Sequence, residues 1–547
     1  FRSLHVHRTE DRAAITSSLE DEIIALIETP ENGGTGSLIP VHPNQDIPRK
    51  PFQLQALVKY KYLPSGQFEE VKSRICLNGS AQDSEKFQTW ELKSPTAATY
   101  AWLAIAVLGV KRGWKPFVID IRRAYLNADM QDPEGDVYSI SNPSLTKEMV
   151  RLNPELAKFI QNNRIVWRVA RAVYGAKQSA RLFYNFLRKA LEGLGFRQNA
   201  YDECVFYQKS DRGVIIVTIH VDDLFGVASS TKASEEFFSK LNKIFPDGIK
   251  LNDGNKLNYL GRELDFSTSG TLTVSMPKHT EDCLQGVKGV ARTPADENLF
   301  KVDPNSELLS ASEKEEFHTH VAKLLYLTIA MRYDLGVSVS FLTSRVQNPT
   351  KEDWSKLMRV KKYLNRTKNL KQQLQPSSEQ VSVSVDASHQ IWGDMRGQTG
   401  IAIRVGGAVV YARSMRQKIN SVSSTETEIV AVSQKFSKPL WLMQFLEDLP
   451  FCADAEYAAP GPIVLEQDNQ STMKLWELGT AQKGNSRHIQ ARHFWIADLI
   501  KKGMIVVAYV STDDIVADVF TKPLSHAVFS KHVVRLGLIS GKVQVME

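Results

Sequence analysis

Two sets of acidic residues could each bind divalent metal ions. The first set is Asp120, which ends the apolar segment KPFVIDI, and the pair Asp222 and Asp223 in the string HVDD. Phosphoryl transfer by a two-metal site needs carboxylates that hold two Mg²⁺ ions about 3.5–4 Å apart. One ion lowers the pKa of an attacking hydroxyl group, and the other neutralises charge on the phosphates. Carboxylates at the ends of neighbouring strands can converge in this way, although Asp-Asp between two strands also suits a hairpin turn.

The second set consists of four acids that each stand where a different predicted element begins or ends: Asp386, Glu428, Asp468 and Asp518. Four carboxylates gathered from separate elements can bind two divalent cations and activate a water molecule to attack a phosphodiester. Each acid also has a simpler interpretation. Asp386 could cap a turn, and Asp468 could cap the helix that follows it. Glu428 could complete a capping box with Thr425, and Asp518 could be a surface charge.

The elements that must position the first set mix helices and strands. Apolar spacing and turn residues predict a helix over 15–30, a hairpin over 54–79 with its turn at 64–66, a helix over 95–113 that begins at Pro95, a strand over 115–121, a helix over 179–196, two strands within 214–230 and a helix over 234–245. This order suits an antiparallel sheet backed by helices.

The pattern changes twice beyond residue 275. It is helical from about 276 to 375, and QLQPSSEQ (373–380) is a polar linker. The later elements are three short strands, a helix over 424–448, a strand over 462–468, helices around 470–478 and 488–502, a strand over 504–510 and a last helix over 513–522. Three strands followed by alternating helices and strands predict a separate α/β domain that begins near residue 378.

Length and composition describe a globular protein with several subdomains. The chain has 547 residues, more than the roughly 250–300 at which a single core stops growing. A net charge of +7 is compatible with a polyanionic partner but does not establish one. Four separated cysteines without a CxxC pair argue against a disulfide framework or a zinc site. No apolar run approaches the ~20 residues needed to cross a bilayer. The first residue is Phe1, which is typical of a processed product or a piece of a longer chain.

Several sequence blocks resemble the reverse transcriptases of copia-type LTR retrotransposons. DIRRAYLN, which begins at Asp120, resembles the block DxxxAFLN, and RAVYGAKQSARLFY (171–184) resembles LYGLKQAPRAWY. HVDD follows in the expected order. LNYLGREL (257–264) resembles the FLGI segment after the palm, and KLLYLTIAMRYDL resembles LLYLTxTRPDI. The resemblance extends from about residue 15 to 525, and so many blocks in one order argue against chance.

The resemblance implies roles for residues of the first region. Asp120, Asp222 and Asp223 would hold the metal ions. Tyr125 would be an aromatic gate that excludes a ribose 2′-hydroxyl group and so favours dNTPs over rNTPs; a core aromatic is the alternative. A lysine or arginine alone is more often a solvated surface charge. The implied nucleotide-binding residues are Arg74, Tyr125, Tyr174, Gly175 and Lys177.

The chain also departs from the family pattern. His220 replaces the tyrosine before VDD, and Ala180 stands where proline is usual. MRYD (331–334) replaces TRPD, and LNG (77–79) replaces ARG. Because the acids are retained, these changes indicate a divergent lineage and not an inactive enzyme. They leave the fine chemistry of the nucleotide pocket open, above all the effect of His220.

The last third resembles the copia ribonuclease H. Its blocks are SVDAS, SSTETEIVA, LEQDNQS, RHIQARHFW and STDDIVADVFTKPL. The resemblance implies that the four acids of the second set bind metal ions, with Glu428 a better match than Glu426. No histidine precedes Asp518 in its loop, as in the copia family. His488 and His493 lie earlier in a predicted helix, where packing or solvent exposure is favoured over contact with a nucleic acid.

The implied fold is an α+β polymerase right hand followed by an α/β ribonuclease H-like domain. The predicted divisions are an N-terminal extension (1–50), fingers and palm (51–275), a thumb- or connection-like helical region (276–378) and a ribonuclease H domain (379–547). The implied activities are RNA- and DNA-templated DNA synthesis and cleavage of the RNA strand of RNA–DNA hybrids, with two Mg²⁺ ions, or Mn²⁺ ions instead, at each site.

The implied partners are an RNA template, a DNA primer, an RNA–DNA hybrid and dNTPs, with integrase from the same polyprotein as a further one and no membrane. The implied location is the cytoplasm, within a virus-like particle, or the nucleus together with the cDNA. Two alternatives remain open. The chain could be a host-adopted, non-catalytic protein that binds nucleic acid, or a nuclease in which only the ribonuclease H domain is active.

Overall fold

A computed structural model of the chain describes residues 11–450, 461–479, 489 and 491–540. The elements of the first half, in chain order, are α1 (Arg12–Ile27), β1 (Leu38–Pro40), β2 (Phe52–Tyr62), β3 (Phe68–Leu77), α2 (Thr99–Lys111), β4 (Lys115–Ile121), β5 (Val137–Ile140), α3 (Pro143–Leu152), β6 (Val166–Val169), α4 (Ser179–Gly193), β7 (Arg197–Gln198), β8 (Val205–Ser210), β9 (Gly213–His220), β10 (Asp223–Ala228), α5 (Thr231–Ile244) and β11 (Ile249–Asn252).

The elements of the second half are β12 (Lys256–Tyr259), β13 (Arg262–Asp265), β14 (Leu272–Ser275), α6 (Pro277–Leu284), α7 (Ala311–Ala330), α8 (Gly336–Arg345), α9 (Lys351–Arg366), β15 (Leu370–Leu374), β16 (Val381–Ser388), β17 (Gln398–Val405), β18 (Ala408–Arg416), α10 (Ser424–Lys435), α11 (Ser437–Glu447), β19 (Ile463–Gln467), α12 (Gln470–Leu478), α13 (Trp495–Lys501), β20 (Ile505–Tyr509), α14 (His526–Arg535) and β21 (Leu538–Ser540). None of the described helices is long and apolar enough to cross a membrane.

The fingers are built on a five-stranded sheet in the order β1-β6-β5-β2-β3. The predicted hairpin is confirmed, since β2 and β3 pair antiparallel around the turn at 64–66. The described part of 1–50 is built into this sheet and does not form a separate extension. Helix α1 buries Ile15, Leu19 and Ile23, and β1 pairs with β6. A three-residue strand whose partner lies about 130 residues further along the chain leaves almost no periodic signal in the sequence.

The palm is a six-stranded sheet in the order β11-β4-β10-β9-β8-β7. Helix α2 packs against it and is buried from Ala101 to Val110. This helix begins at Thr99, so the prediction that it begins at Pro95 was wrong. Residues 95–98 are not helical, and the Asp202 carboxylate accepts a hydrogen bond from the Ala98 amide (3.3 Å). The hydrogen bond to Asp202 thus fixes Ala98, the residue before the helix, whereas Pro95 was expected to fix the start of the helix.

A third sheet, β12-β13-β14-β15-β21, joins strands from three distant parts of the chain. Only β15 of this connection sheet lies, with α6 to α9, in the region predicted to be thumb- or connection-like; β12 to β14 precede residue 276, and β21 follows residue 378. The predicted divisions at 275 and 378 therefore cut through a sheet, and the described C-terminal strand joins this sheet instead of that of the last domain. Such pairing is decided by tertiary contacts and not by local propensity.

A buried ion pair joins the arginine and the aspartate of the segment MRYD (331–334), which lies between α7 and α8. The Arg332 guanidinium donates two hydrogen bonds to the Asp334 carboxylate (2.9 and 2.7 Å), and both side chains are almost completely buried. Arg332 also donates to the Thr367 carbonyl (3.0 Å), while the Tyr363 hydroxyl donates to Asp334 (2.7 Å). The arginine and the aspartate that MRYD shares with TRPD thus fasten α7 to α9.

The last domain has the α/β arrangement predicted from sequence. Its sheet order is β18-β17-β16-β19-β20, with the first three strands antiparallel and the last two parallel to their neighbours. The helix predicted over 424–448 is two helices divided at Phe436. The helix predicted over 513–522 is a short 3₁₀ turn, Val516–Phe520. Within the predicted helix over 488–502 the structure has a 3₁₀ turn, Ala491–His493, and then α13, while His488 lies outside the described residues.

Candidate active sites

The palm acids meet on two adjacent strands and the turn beside them. Asp223 lies directly opposite Asp120 in the ladder between β10 and β4. Asp222 belongs to the tight turn between β9 and β10, where the Asp222 carbonyl accepts a hydrogen bond from the Ile121 amide (3.2 Å). Val221 adopts a φ of 62°, a left-handed conformation that costs energy for a β-branched residue. The fold therefore holds a strained turn that presents both aspartates beside Asp120.

Burial and like charge raise the pKa values of the palm aspartates. Burial, followed by the charges of Asp222 and Asp120, raises the pKa of Asp223 to about 7. The pKa of Asp222 is also raised, mainly by burial and further by Asp120, while Arg74 and Lys72 oppose the shift. A cation bound between these carboxylates would reduce the repulsion between their negative charges. The oxygen donors are of the kind that Mg²⁺ prefers.

His220, the departure before VDD, lies opposite Asp223 in the ladder between β9 and β10. Burial lowers the pKa of its imidazole, although the charge of Asp222 acts in the other direction. Its Nδ1 atom is buried and has no hydrogen-bond partner among the described residues. At neutral pH the imidazole is therefore uncharged and leaves the negative charge of the aspartates uncompensated.

The predicted nucleotide-binding residues form a stack next to the palm acids. The Arg74 guanidinium carbon lies 4.3 Å from the centre of the Tyr174 ring, and the Tyr174 and Tyr125 rings are 4.9 Å apart. Gly175 has a φ of 91°, and a Cβ atom there would lie 2.1 Å from the Leu77 carbonyl oxygen. Only glycine fits this approach. Arg74, Tyr125, Tyr174 and Gly175 are thus gathered in one place.

Lys177 has a different environment from the other four. Its ammonium donates to the Gln82 carbonyl (2.6 Å) and to the Ser84 hydroxyl (2.5 Å). The Gln82 side chain in turn accepts from the Lys177 amide (2.8 Å) and donates to Gln178 (3.0 Å). The structure therefore uses Lys177 to anchor the loop around residue 82. Nothing in the sequence around Gln82 and Gln178 indicated this network.

A cavity of about 440 Å³ lies over Asp120 and Asp223. The tip of the β2–β3 hairpin closes one side, because the Lys278 amide at the start of α6 donates to the Pro64 carbonyl (2.9 Å). Four basic side chains of the lining come from three regions of the chain that sequence reasoning did not combine: Lys61, Lys250, Lys278 and His279. Two of these lysines pair with acids of the same lining, Lys250 with Glu69 (3.5 Å) and Lys278 with Asp282 (2.7 Å), so the cavity presents mixed charge around the palm acids.

Three acids of the last domain converge more closely than the palm acids do. Carboxylate oxygens of Asp386, Glu428 and Asp468 all lie within 4.8 Å of one another, and the described residues contain no other group of three possible metal ligands that meets this limit. Asp386 lies on β16 and Asp468 follows β19, its parallel neighbour, while Glu428 belongs to α10. A single oxygen-liganded cation needs such spacing, since Mg²⁺ and Ca²⁺ bind oxygen at about 2.0–2.6 Å.

The simpler interpretations of Glu428 and Asp468 do not fit the structure. Ser423 caps α10 together with Glu426, whereas Glu428 accepts a hydrogen bond from the Ala387 amide (3.1 Å). Asn469 caps α12 and Asp468 does not. Asp468 instead accepts a hydrogen bond from the Thr512 hydroxyl (2.9 Å).

Burial raises the pKa of Asp386 to about 7, and the charge of Asp518 adds to this shift. Burial, then the charges of Asp386 and Asp468, also raises the pKa of Glu428 well above its usual value. The Thr521 hydroxyl donates to Asp386. Asp386 and Glu428 are buried and Asp468 is half-buried, and the three acids together form a cluster that favours a cation.

Asp518 lies beside this cluster and is not one of its three members. It is buried on the 3₁₀ turn and pairs with the Lys522 ammonium (2.5 Å). Lys522 and Thr521 both belong to the block STDDIVADVFTKPL, but their contacts could not be predicted from sequence. His493 is buried and its Nδ1 atom lies 2.6 Å from the Ser433 hydroxyl oxygen, which agrees with the packing role favoured for it.

Comparison with known proteins gives this geometry a context. Residues 48–288 match the family described as reverse transcriptase (RNA-dependent DNA polymerase). The chain is 25% identical over 492 residues to a retrovirus-related Pol polyprotein from transposon RE2 of Arabidopsis thaliana, covering 88% of this chain and 31% of the relative. It is 22% identical over 527 residues to the Pol polyprotein from transposon TNT 1-94 of Nicotiana tabacum, covering 94% and 37%.

The chain spans about a third of the length of these curated relatives. Among solved structures, it is similar to a foamy viral protease-reverse transcriptase in complex with double-stranded DNA, with 12% identity, a TM-score of 0.47, and coverage of 92% of this chain and 70% of that one. Residues 48–288 are therefore a reverse transcriptase domain of the type found in the Pol polyproteins of copia-type retrotransposons.

Proposed function

We propose that the first part of the chain copies RNA and then DNA templates into DNA, and that the last part cleaves the RNA strand of RNA–DNA hybrids for replication of a retrotransposon. The observation that carries the polymerase proposal is the pairing of Asp120 with Asp223, beside Asp222, inside a reverse transcriptase domain. The triad Asp386, Glu428 and Asp468, of which the first two are buried, supports the nuclease proposal.

In the polymerase, Asp120, Asp222 and Asp223 would hold divalent cations, Mg²⁺ or Mn²⁺. These ions, when bound, would lower the pKa of the primer 3′-hydroxyl group and neutralise charge on the triphosphate. The raised pKa values of Asp222 and Asp223 reflect buried like charges, which is the condition that a cation relieves.

The nucleotide pocket would contribute orientation and selection. The Arg74 guanidinium lies over the Tyr174 ring, which limits the freedom of the side chain, and its fork of donors could receive the triphosphate. Tyr125 packs against the Tyr174 ring and against Phe183 (6.0 Å between ring centres). A ring fixed by two aromatic neighbours cannot easily yield space, and it would therefore exclude a 2′-hydroxyl group.

In the nuclease, the triad would hold the cations while Asp518 shapes the charge around Asp386. The cations would supply a nucleophilic water at neutral pH. Thr521 and the Ala387 amide fix the carboxylates of Asp386 and Glu428 through hydrogen bonds, and Lys522 balances the charge of Asp518. These contacts orient the acids before any cation arrives.

The proposed partners follow from this chemistry. They are an RNA template, a DNA primer, the RNA–DNA hybrid and dNTPs, with integrase of the same polyprotein as a further partner and a particle or the cell interior as the location. The net charge of +7 would serve phosphate contacts. Binding of a duplex should then weaken as salt concentration rises.

The direct test is primer extension on poly(rA)/oligo(dT) with Mg²⁺, together with cleavage of an end-labelled RNA strand in a hybrid. We expect metal-dependent incorporation of dTTP and metal-dependent cleavage, both abolished by EDTA. Binding of the primer–template without incorporation in any divalent metal would refute the polymerase and favour a non-catalytic binding protein. Cleavage without incorporation would leave only the nuclease.

A further inference from the structure

The outer edge of β3 is held at every second residue. Because β3 is the last strand of its sheet, alternate amides face away from β2. The Ser73 amide donates to the Ser18 hydroxyl (2.7 Å), the Ile75 amide to the Glu22 carboxylate (3.1 Å) and the Leu77 amide to the Tyr174 carbonyl (2.8 Å). These three bonds flank Arg74 and fix the backbone that carries it.

Two of the three acceptors belong to α1. Ser18 and Glu22 are four residues apart, so they lie on the same face of the helix. Burial raises the pKa of Glu22, while its bond to the Ile75 amide and the charges of Arg74 and Arg123 oppose that shift. The carboxylate is therefore held among the cations of the nucleotide pocket as well as against the strand edge.

The same N-terminal segment also contacts the residues that precede the turn of Tyr125, on a second side of the nucleotide pocket. Arg123 has a φ of 49° and precedes the 3₁₀ turn Ala124–Asn127, which carries Tyr125. Its guanidinium donates to the Gly33 carbonyl (3.3 Å), the Asp21 carbonyl (3.5 Å) and the Asp247 carboxylate (3.1 Å). The left-handed residue that begins this turn is thus tied to α1 and to the loop after it.

We propose that α1 and the loop through Gly33 are a positioning element of the polymerase nucleotide pocket, acting on Arg74 through β3 and on Tyr125 through Arg123. This inference rests on the proposed polymerase function. The element precedes residue 48, where the match to the reverse transcriptase family begins, so that match assigns it no role. Glu22 and Ser18 are positioning residues, since they touch the strand that carries Arg74 and not the nucleotide.

Loss of Glu22 leaves the Ile75 amide without its acceptor and releases the strand beside Arg74. Glu22 lies on the fingers, away from the connection sheet (β12-β13-β14-β15-β21), which joins the domains. We therefore expect Glu22→Ala to raise the KM for dNTPs about fivefold to tenfold while kcat and the dissociation constant of the primer–template change less than about twofold. Glu22→Gln keeps an oxygen acceptor for the Ile75 amide and should restore most of the loss.

Glu20→Ala is the matched control, because Glu20 lies on the same helix and pairs at the surface with Arg151 of α3. It should leave the KM for dNTPs unchanged. The proposal is overturned if Glu22→Ala alters only the melting temperature, if Glu20→Ala raises the KM equally, or if Glu22→Gln is as impaired as Glu22→Ala.

Hydrogen exchange separates this proposal from the function on which it rests. The Ser73 and Ile75 amides should be protected in the wild-type protein, and the Ile75 amide should exchange at least about tenfold faster in Glu22→Ala but not in Glu20→Ala. If the amides exchange in this pattern and the wild-type protein nevertheless incorporates no dNTP, the polymerase function is refuted, while the contact by which Glu22 positions β3 still stands. If the Ile75 amide exchanges no faster in Glu22→Ala than in the wild-type protein, the positioning role of Glu22 is refuted.

Discussion

The palm acids and the acids of the last domain use the same chemical groups in two different arrangements. In the palm, two aspartates face each other across adjacent strands and a third occupies the turn, beside a cavity lined with both basic and acidic residues. In the last domain, carboxylate oxygens of three acids from separate elements lie within 4.8 Å of one another, and two of the three acids are buried. Mg²⁺ often binds through one or two carboxylates together with substrate phosphates. We infer that the palm site would be completed by a nucleotide, whereas the proposed nuclease site gathers most of its ligands beforehand.

The two sets of acids lie on different sheets, and the connection sheet belongs to neither set, although α2 of the palm packs directly against β17 and β18 of the last domain. The connection sheet takes its strands from residues 256–275, 370–374 and 538–540, and the ion pair Arg332–Asp334 lies buried among its helices. A change at one site should therefore leave the other intact, while a change in the connection should affect both.

The largest expected effect is a separation of the two activities. Asp222→Asn should lower DNA synthesis roughly a thousandfold or more, because it removes a charged metal ligand, and should spare hybrid cleavage. Asp386→Asn should do the reverse. Primer extension and hybrid cleavage measured on the same preparations test this. Loss of both activities from either substitution, with circular dichroism unchanged, would contradict the division between the sites.

A change in the connection should instead weaken both activities through stability. Asp334→Ala leaves the Arg332 guanidinium buried without its partner, which should lower the free energy of unfolding by about 3–5 kcal/mol. Denaturant unfolding measures this loss. The surface pair Lys351–Glu307 offers a matched control, since Glu307→Ala should cost less than about 1 kcal/mol. Equal costs for the two substitutions would mean that burial of the pair contributes nothing.

Sugar selection should depend on the proposed polymerase part of the chain and not on the last domain. Tyr125→Ala should raise the efficiency of rNTP incorporation relative to dNTP about tenfold or more, because the ring held by Tyr174 and Phe183 no longer fills the space of the 2′-hydroxyl group. Hybrid cleavage should not change. Unaltered discrimination between rUTP and dTTP would place the gate at another residue.

The smallest expected effect concerns the pH dependence of stability that Asp386 causes in the last domain when no metal is bound. Asp386 has a pKa of about 7 in the folded protein and an ordinary low value when unfolded, so its burial destabilises the fold increasingly as pH rises from about 4 to 7. Asp386→Asn should therefore stabilise the protein in EDTA by about 2 kcal/mol at pH 8 and much less at pH 5. Thermal melting at both pH values measures this, and a gain that does not depend on pH would count against the shift.

The stabilisation of the protein by Mg²⁺ should increase with pH. Because protonated carboxyl groups are poor ligands, the rise in melting temperature produced by Mg²⁺ should shrink between pH 8 and pH 6. It should be absent from Asp386→Asn if the triad is the site that accounts for it.

Local sequence patterns determined much of the architecture. Alternation and turn residues predicted the hairpin of β2 and β3, the strands that carry Asp120 and Asp223, and the α/β order of the last domain. These predictions succeeded because each depends on periodicity within about ten residues. Positions that depend on packing were missed, such as the start of α2 at Thr99, the division of the helix over 424–448 at Phe436, and the 3₁₀ turn that carries Asp518.

The sequence by itself determined which residues could do chemistry and in which kind of element they lie, since acids at strand ends and a glycine-containing loop can be read from neighbouring residues. Only the tertiary structure decided which of them meet. It brought Asp386, Glu428 and Asp468 together, gave Lys177 to a loop, and placed Glu22 against the strand of Arg74. The physical reason is that such contacts join residues tens to hundreds of positions apart, where no local propensity acts and the packing of buried surfaces sets the distance.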